Sequence, residues 1–478
     1  MLKFVILITS LLAHAEGEPS RPLSPDAYPS LVNDLSPMTK AEELGRPAFL
    51  MRFQSEKYRN INATGRDRSS FYPSVSARMA VSQDWKIFSL TGEIEGFITA
   101  TQTKNRFVNV PEFYIGSGDR FQSVKIAAGR KKVEWSKLDD SWRLGMWQPR
   151  FRWDYFDPEM VGLTGLFSTV DVGKWQFTAY ASPLFVPEQG ATFDEDNGTI
   201  TSTHPFFSPP PKSLPVFEEE TDLRYSIVIP SIGDVILNPG GSLQAKYENQ
   251  GFTTKFGYGY LPINQILVGY EAYQYLPKNH VQVKIHPRVV YHHIASLDSA
   301  IKKGNWEFSL SSLLEVPNDI NKPQNLTVQN AATGFLVSPT LQYKRGDGAI
   351  QRSAKLSFLQ TVGGIKNDSG LLAQGQQQIM ESRYPYRTAI SLSSQHPLFT
   401  SGNQFLSLHG KVIYDFTVRG SIYSAELHYG FQKSWDVSFG FDLIGAGKMK
   451  APQEGGGADF FGYYRANDRI RGGIAYVF

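Results

Sequence analysis

An all-β fold is what this sequence predicts: an antiparallel transmembrane β-barrel of about 18 strands behind a short N-terminal extension. Three observations predict it. Apolar residues recur with a period of two over most of the chain, aromatic residues and glycine are abundant, and no apolar run reaches the length that a membrane-crossing helix needs.

The period is clearest at residues 435–443. Trp435, Val437, Phe439, Phe441 and Leu443 alternate with Asp436, Ser438, Gly440 and Asp442, so one face is apolar and the other carries carboxylates. Phe88, Leu90, Ile94 and Ile98 interleave with Ser89, Thr91, Glu93 and Glu95, and Trp306, Phe308, Leu310 and Leu314 with Glu307, Ser309, Ser311 and Glu315. Leu406, Leu408, Val412, Tyr414 and Phe416 face away from Ser407, His409, Lys411 and Asp415. Tyr423, Ala425, Leu427, Tyr429 and Phe431 face away from Ser424, Glu426 and His428. Each run has the roughly 9 to 11 residues that a tilted strand needs to cross a bilayer. Turn signals separate the runs, at Gln83-Asp84, 116–119, Gly173-Lys174, 249–251, 277–279, 303–305, 345–348, Lys433-Ser434 and Asn467-Asp468. A soluble sandwich also alternates, and alternation alone does not say which face meets water.

Composition narrows the class. Charged residues make up 19% and hydrophobic ones 41% of 478 residues, and the mean hydropathy is −0.29, which excludes both a disordered chain and a helical membrane bundle. Aromatic residues reach 13%, with Phe 32, Tyr 23 and Gly 42: rings for a lipid boundary, glycine for strands that curve and close. The formal charge of +3 becomes 3 − 1 = +2 once Lys3 leaves with a leader, a balance unlike the concentrated basic surplus of a nucleic-acid binder. Cysteine is absent, which removes disulfides, thiolate chemistry, Cys-ligated zinc and a lipid-bearing N-terminal cysteine.

The N-terminus reads as an export signal over residues 1–15. Lys3 supplies charge, residues 4–12 are apolar, and Ala13-His14-Ala15 is an A-x-A cleavage site, so the mature chain is expected to start at Glu16. Residues 16–45 are polar and proline-bearing, with a helix-like patch at 38–44, and are expected to form a periplasmic or lumenal extension. The barrel is expected over 46–478.

At the other end, Ile470, Gly472, Ile474, Tyr476 and Phe478 share one strand face and Arg469, Arg471, Gly473, Ala475 and Val477 the other. This ending resembles the closing strand of Gram-negative outer-membrane β-barrels, in which alternate apolar residues lead to a terminal aromatic. The resemblance implies that Ile474, Tyr476 and Phe478 are read by the barrel-assembly machinery. It also implies a place in the bacterial outer membrane, among its lipid and lipopolysaccharide. A last strand descending to the periplasm makes Asn467-Asp468 an outer turn, short for that side.

Long connections are where specificity is expected. Residues 129–163 hold four of the eight tryptophans and a dense set of charges. Arg130, Lys132, Arg143, Arg150, Arg152 and Asp154, with Trp147 and Trp153, are the candidate pore constriction: opposed charges orient permeating solutes, and indole faces stack on rings. The competing reading makes the tryptophans headgroup-level anchors and the charges solvated pairs. The run from Gly129-Arg130 to Trp135 is similar to the Gly-Arg-x-x-x-x-Trp strand of alginate-export-type and related porin-like barrels, with Lys131 and Ser136 replacing the usual Gln and Gly. A second loop, 187–222, carries Glu188, Asp194, Glu195, Asp196, three prolines from 209 to 211 and three glutamates from 218 to 220; it reads as exposed and solvated, without calcium-loop spacing. A third, 365–383, is glutamine-rich.

Catalysis finds little support. No Gly-x-Ser-x-Gly elbow occurs, and His292-His293 on a regular strand point to opposite faces and cannot share a metal. His409 and His428 lie on the polar faces of neighbouring runs, near Ser407, Asp415 and Glu426. The expected function is a porin-like channel for passive diffusion of small hydrophilic solutes, with no cofactor, metal or enzymatic role. A barrel plugged by 16–45 or by the Trp-rich segment, serving as adhesin or receptor, is the second expectation. A hydrolase using His409 or His428 is the third.

Overall fold

The computed structural model describes residues 38, 41, 47–58, 71–101, 104–118, 123–207, 210, 212–216, 219–275, 280–318, 327–328, 332–346, 351–364, 383–432, 434–445 and 460–478. The expected export signal and cleavage site lie outside them, as do residues 277–279, Glu218 and the glutamines at 374–378.

One 18-stranded sheet dominates. Its strands begin with β1 (Ala48–Tyr58), β2 (Phe71–Asp84), β3 (Phe88–Thr99), β4 (Arg106–Ser117), β5 (Val124–Lys131) and β6 (Leu163–Val172). They continue with β7 (Trp175–Ser182), β8 (Gly240–Asn249), β9 (Phe252–Pro262), β10 (Tyr291–Lys303), β11 (Trp306–Asn318) and β12 (Gly334–Arg345). The last six are β13 (Arg352–Gly363), β14 (Thr388–Ser401), β15 (Gln404–Asp415), β16 (Gly420–Phe431), β17 (Trp435–Gly445) and β18 (Arg469–Val477). Every strand pairs antiparallel with the next, and β18 pairs with β1 from Leu50↔Val477 to Tyr58↔Arg469, so the sheet closes. At the seam Phe49 and Phe478 exchange backbone hydrogen bonds of 2.8 and 2.9 Å and stack at 5.5 Å.

The faces are inverted relative to a soluble sandwich. Phe308, Leu310, Val437, Phe439, Leu443 and Ile474 are exposed on the outside, whereas Ser309, Ser311, Glu315, Asp436, Asp442 and Arg469 are buried inside. An apolar exterior around a polar interior is stable only where lipid replaces water outside, so this is a transmembrane barrel.

Connections alternate in length. At one rim are tight turns, including Gly173-Lys174, Gln250-Gly251, Gly304-Asn305 and Gly402-Asn403. Gln250 (φ 44°) and Gly251 (φ 85°) both take the left-handed conformation that a two-residue hairpin requires. The first turn at this rim is Trp85 to Ile87; Gln83 and Asp84, read above as the turn, still belong to β2, paired with Leu90 and Ser89. At the other rim lie the long loops, among them L3 (132–162), L4 (183–239), L5 (263–290), L6 (319–333), L7 (364–387) and L9 (446–468). Asn467-Asp468 is therefore the end of a long loop at this rim and not a short turn: a helix (Phe460–Tyr464) leads into a 3₁₀ turn (Arg465–Asn467) that Asp468 closes, packed into the barrel mouth.

The eight tryptophans divide cleanly. Trp85, Trp175, Trp306 and Trp435 stand at the tight-turn rim beside Phe88, Tyr247, Tyr343 and Tyr476, at 4.5, 4.9, 4.9 and 4.6 Å, as an aromatic girdle. The other four belong to L3. Of residues 16–45, helical Met38 and Ala41 are described; Ala41 is buried against Ala48 and Ala80, on the inner face at the tight-turn rim. Beyond the opposite rim, L4, L5 and L6 build a five-stranded sheet from Ser213–Val216, Glu219–Ile227, His280–Arg288, Leu267–Tyr275 and Thr327–Val328, whose small core includes Leu223, Tyr225 and Val283. The 187–222 segment is thus largely structured.

Candidate functional site

L3 leaves β5 and turns into the barrel, taking hold of one wall strand after another. Gln244 of β8 donates to the Glu134 carbonyl at 2.9 Å, and Lys255 of β9 reaches the Glu134 carboxylate at 2.6 Å. Ser296 of β10 donates to the Trp135 carbonyl at 2.9 Å, and Asp298 accepts from the Lys137 amide at 2.9 Å. The Trp142 indole donates to Ser338 of β12 at 3.0 Å, and Lys355 of β13 to Ser141 at 2.6 Å. Each inward polar side chain thus satisfies a loop group that the bore would otherwise leave unpaired.

The local fold of L3 follows from its sequence. Ser136 caps a short helix, α1 (Lys137–Trp142), and Arg143 ends it in the left-handed conformation (φ 49°), sending the chain back. The buried Asp139 carboxylate accepts from the amides of Met146 and Trp147 at 2.9 and 2.8 Å, which fixes the reversal. Burial pushes its carboxyl up to about 6 in spite of those amides. Beneath, Trp135 and Trp147 stack at 5.2 Å, and Trp147 lies on β9 where Gly257 and Gly259 leave room: a Cβ at Gly259 would stand 3.0 Å from its ring. An apolar arc on the inner wall, including Ile294, Leu313, Leu336, Leu359, Ile413 and Ile422, completes the seat. Trp147→Ala should cost the seated loop about 3–5 kcal/mol. In a single-channel recording this appears as larger, noisier conductance; an unchanged trace counts against the seat.

The loop then crosses to the opposite wall. Asp154 pairs with Arg469 of β18, Glu159 with Arg78 of β2 at 3.2 Å and with Asn109 of β4 at 2.8 Å, and the Gly162 amide reaches the Pro111 carbonyl at 2.9 Å. Arg469 also holds Asp442 at 2.7 Å and Glu56 at 3.3 Å, and Arg78 holds Glu93 and Glu95 at 3.2 and 2.6 Å. Outside, L4 clamps L3: the fully buried Glu188 takes Arg150 and Arg152, each at 2.9 Å. Burial opposes ionisation of Glu188, but the two guanidiniums outweigh it and hold the carboxyl below its ordinary value. L7 is fastened in turn by Arg383 and Tyr384, which converge with His292 on Glu315 of β11.

The sequence-predicted residues fall in different places. Arg143 pairs with Asp157 inside L3, and both keep partial water access, at 18% and 23% exposure, as does Asp154 at 26%. Across from them on the wall, Lys411 lies within electrostatic reach of Arg143, Asp157, Asp442 and Asp154, and Lys355 within reach of Lys411, Lys137 and Arg143. Lys132 stands 3.9 Å from Glu93 and 4.0 Å from Glu159. Arg150 and Arg152 serve the Glu188 clamp. Trp147 is packed away from the bore, and Trp153 sits among Phe97, Phe107 and His204 at 5.3, 4.8 and 4.3 Å. Arg130 is directly opposite Phe113 and Thr164 on the outward face, with its guanidinium on the Val110 carbonyl at 2.9 Å. Ile474, Tyr476 and Phe478 lie along the seam; Tyr476 packs on Phe478 at 5.6 Å.

The sequence gives no site role to Glu188, Glu315, Arg383, Lys355, Lys411 or Arg469. Strand alternation already put Lys411 and Arg469 on the faces opposite the apolar residues, but nothing local marks which loop they meet. His292 and His293 do take opposite faces: His292 reaches Glu315, and His293 the Tyr258 hydroxyl at 2.8 Å. His409 and His428 come within 4.9 Å of each other. Ser407 bonds His409 at 3.1 Å, however, while Asp436 and Glu426 hold His428 at 3.2 and 3.6 Å, so serine and carboxylate do not act on one imidazole.

No protein-family model matches the chain, and no curated protein matches it either. Among solved structures it is similar, over 90% of its length, to Acinetobacter baumannii OccAB1, at 10% identity over 96% of that chain with a TM-score of 0.47. Pseudomonas aeruginosa OccK11 gives 10% identity over 95% of its chain with a TM-score of 0.43, and Salmonella typhi OmpF in complex with daunomycin 12% over 97% with 0.40. The fold rests on the chain's own strand register: a closed, 18-stranded antiparallel transmembrane barrel with a loop folded into its bore.

Proposed function

We propose that the protein is a porin-like channel of a bacterial outer membrane, through which small hydrophilic solutes diffuse passively. The observation that carries this reading is L3, which crosses a polar bore and brings Arg143, Asp154 and Asp157, all with partial water access, within electrostatic reach of Lys411 on the wall. Opposed charges that water reaches beside a permeation path set ion preference and orient dipolar solutes. The tight turns face the periplasm and the long loops the outside, the usual order for such barrels. Outer-membrane lipid and lipopolysaccharide would then surround the apolar band, and the assembly machinery would read Ile474, Tyr476 and Phe478.

Refolded protein in a planar bilayer should give stable ohmic steps; folded, heat-modifiable protein that never conducts rejects the proposal. Lys411→Glu should move the reversal potential toward cation preference. A charge interaction of about 1 kcal/mol at close range in water corresponds to about fivefold in the permeability ratio. An unmoved reversal potential removes Lys411 from the path.

A closed barrel is the second reading, favoured by the apolar packing of L3, L4, L5, L7 and L9 inside the outer mouth, where Phe206, Phe461 and Tyr464 are buried together with Trp142. Silent wild-type protein that conducts once residues 16–45 or the L3 tip are removed would select it.

A further inference from the structure

Residues 228–237 of L4 connect the outer sheet to β8 and expose an unusual amount of apolar side chain. Ile229 is 87% exposed, Ile232 78% and Leu237 65%, and the one-turn helix Ile232–Ile236 buries none of its residues. Asp234 is the only charged residue of the stretch, and its carboxylate is engaged in a capping box with Ser231. In water this arrangement has nothing to stabilise it.

Its position supplies the partner. The Phe185 amide, just past the end of β7, bonds the Ile236 carbonyl at 2.7 Å, so the stretch sits at the rim above β7 and β8. Beneath it the outward face is apolar, with Phe177 on β7 and Leu243 on β8 exposed, and Gly241 and Pro239 leading from Leu243 to Leu237 without a charge. β7 has only 8 residues. At about 3.3 Å per residue and a tilt near 40°, it covers roughly 20 Å along the membrane normal, short of an apolar band about 25 Å tall. The missing height lies where Leu184, Ile232 and Leu237 are exposed.

We infer that residues 228–237 form a lipid-contact wedge, in which Ile229, Ile232 and Leu237 lie against acyl chains of the outer leaflet and complete the band above the short strand β7. The inference rests on the membrane-embedded barrel reading.

The absence of cysteine makes the test direct. Ile232→Cys, Leu243→Cys and Asp196→Cys, each in the full mature chain, are labelled with an environment-sensitive fluorophore and refolded into phosphatidylcholine vesicles with or without brominated acyl chains. The wedge requires bromolipid quenching at position 232 within about a factor of two of position 243, because an interfacial apolar segment reaches only the boundary of the acyl region. Position 196, on an exposed hairpin, should respond to aqueous iodide instead. Iodide quenching at 232 without bromolipid quenching overturns the wedge. So does a probe at 232 shielded from both quenchers but self-quenched between copies, which assigns the patch to a contact with a second copy of the chain. If position 243 also escapes bromolipid, the membrane reading itself has failed.

Discussion

Arg469→Met lowers the stability of the folded barrel by about 3–5 kcal/mol, the cost of breaking a buried ion cluster from one side. The guanidinium is 1% exposed and holds three carboxylates, from Glu56 on β1, Asp442 on β17 and Asp154 at the turn of L3. It also lies over the rings of Phe156 and Phe206, at 5.5 and 5.6 Å, so it joins the seam of the barrel to two inward loops. Methionine fills much of the volume but leaves three carboxylates close together without a cation. The measurement is the urea midpoint of the heat-modifiable form in bilayers. Asp154→Asn alone should cost about 1 kcal/mol or less, because that carboxylate keeps water access. Neutralising Glu56, Asp154 and Asp442 together in the Arg469→Met background should restore most of the loss. If Arg469→Met unfolds at the wild-type midpoint, the cluster does not hold the seam.

How much of this was legible in the sequence depends on the range of the interaction. Strand faces are a local property: alternation at 435–443 separated Val437, Phe439 and Phe441 from Asp436 and Asp442, and both pairings of that strand keep the separation, with the first set outside and the second inside. Turn chemistry is nearly as local, and Gly173-Lys174 and Gln250-Gly251 fall where predicted. Asn467-Asp468 misled because a turn signal does not report how much folded chain precedes it; the Phe460–Tyr464 helix is short and lies inside an outer mouth. The charge-rich loop was found from its composition, but composition cannot separate a residue that lines a bore from one that seats the loop. Trp147 is buried because Gly257 and Gly259 stand opposite it, on a strand more than a hundred positions away. Glu188 was read as surface acid among Asp194, Glu195 and Asp196; its two arginine partners belong to another loop, and only the fold brings them together.

Glu188 therefore carries the second large effect. With its side chain fully buried between Arg150 and Arg152, Glu188→Ala leaves two guanidiniums without a counter-ion where L4 meets L3, at a cost of about 3–5 kcal/mol to the docked arrangement. The barrel wall does not share this cluster, so the urea midpoint should change little, whereas trypsin should begin to cut after Arg150 and Arg152 and single-channel noise should rise. The pH dependence follows from the direction of the shift. The docked Glu188 carboxyl sits below its ordinary value of 4.5, so its contribution is complete above that value and is lost as the pH falls through the depressed one. Asp139 has the opposite sign: raised to about 6 in the folded loop, it binds its proton more readily there than in the unfolded chain, and it weighs against the seated loop as the pH rises from 3.8 to about 6. Wild-type protein should thus hold L3 quiet at neutral pH and grow noisy only in acid below 4.5, while Glu188→Ala is noisy throughout. A variant that resists trypsin and gates like wild type at neutral pH would mean that L4 lies beside L3 without holding it.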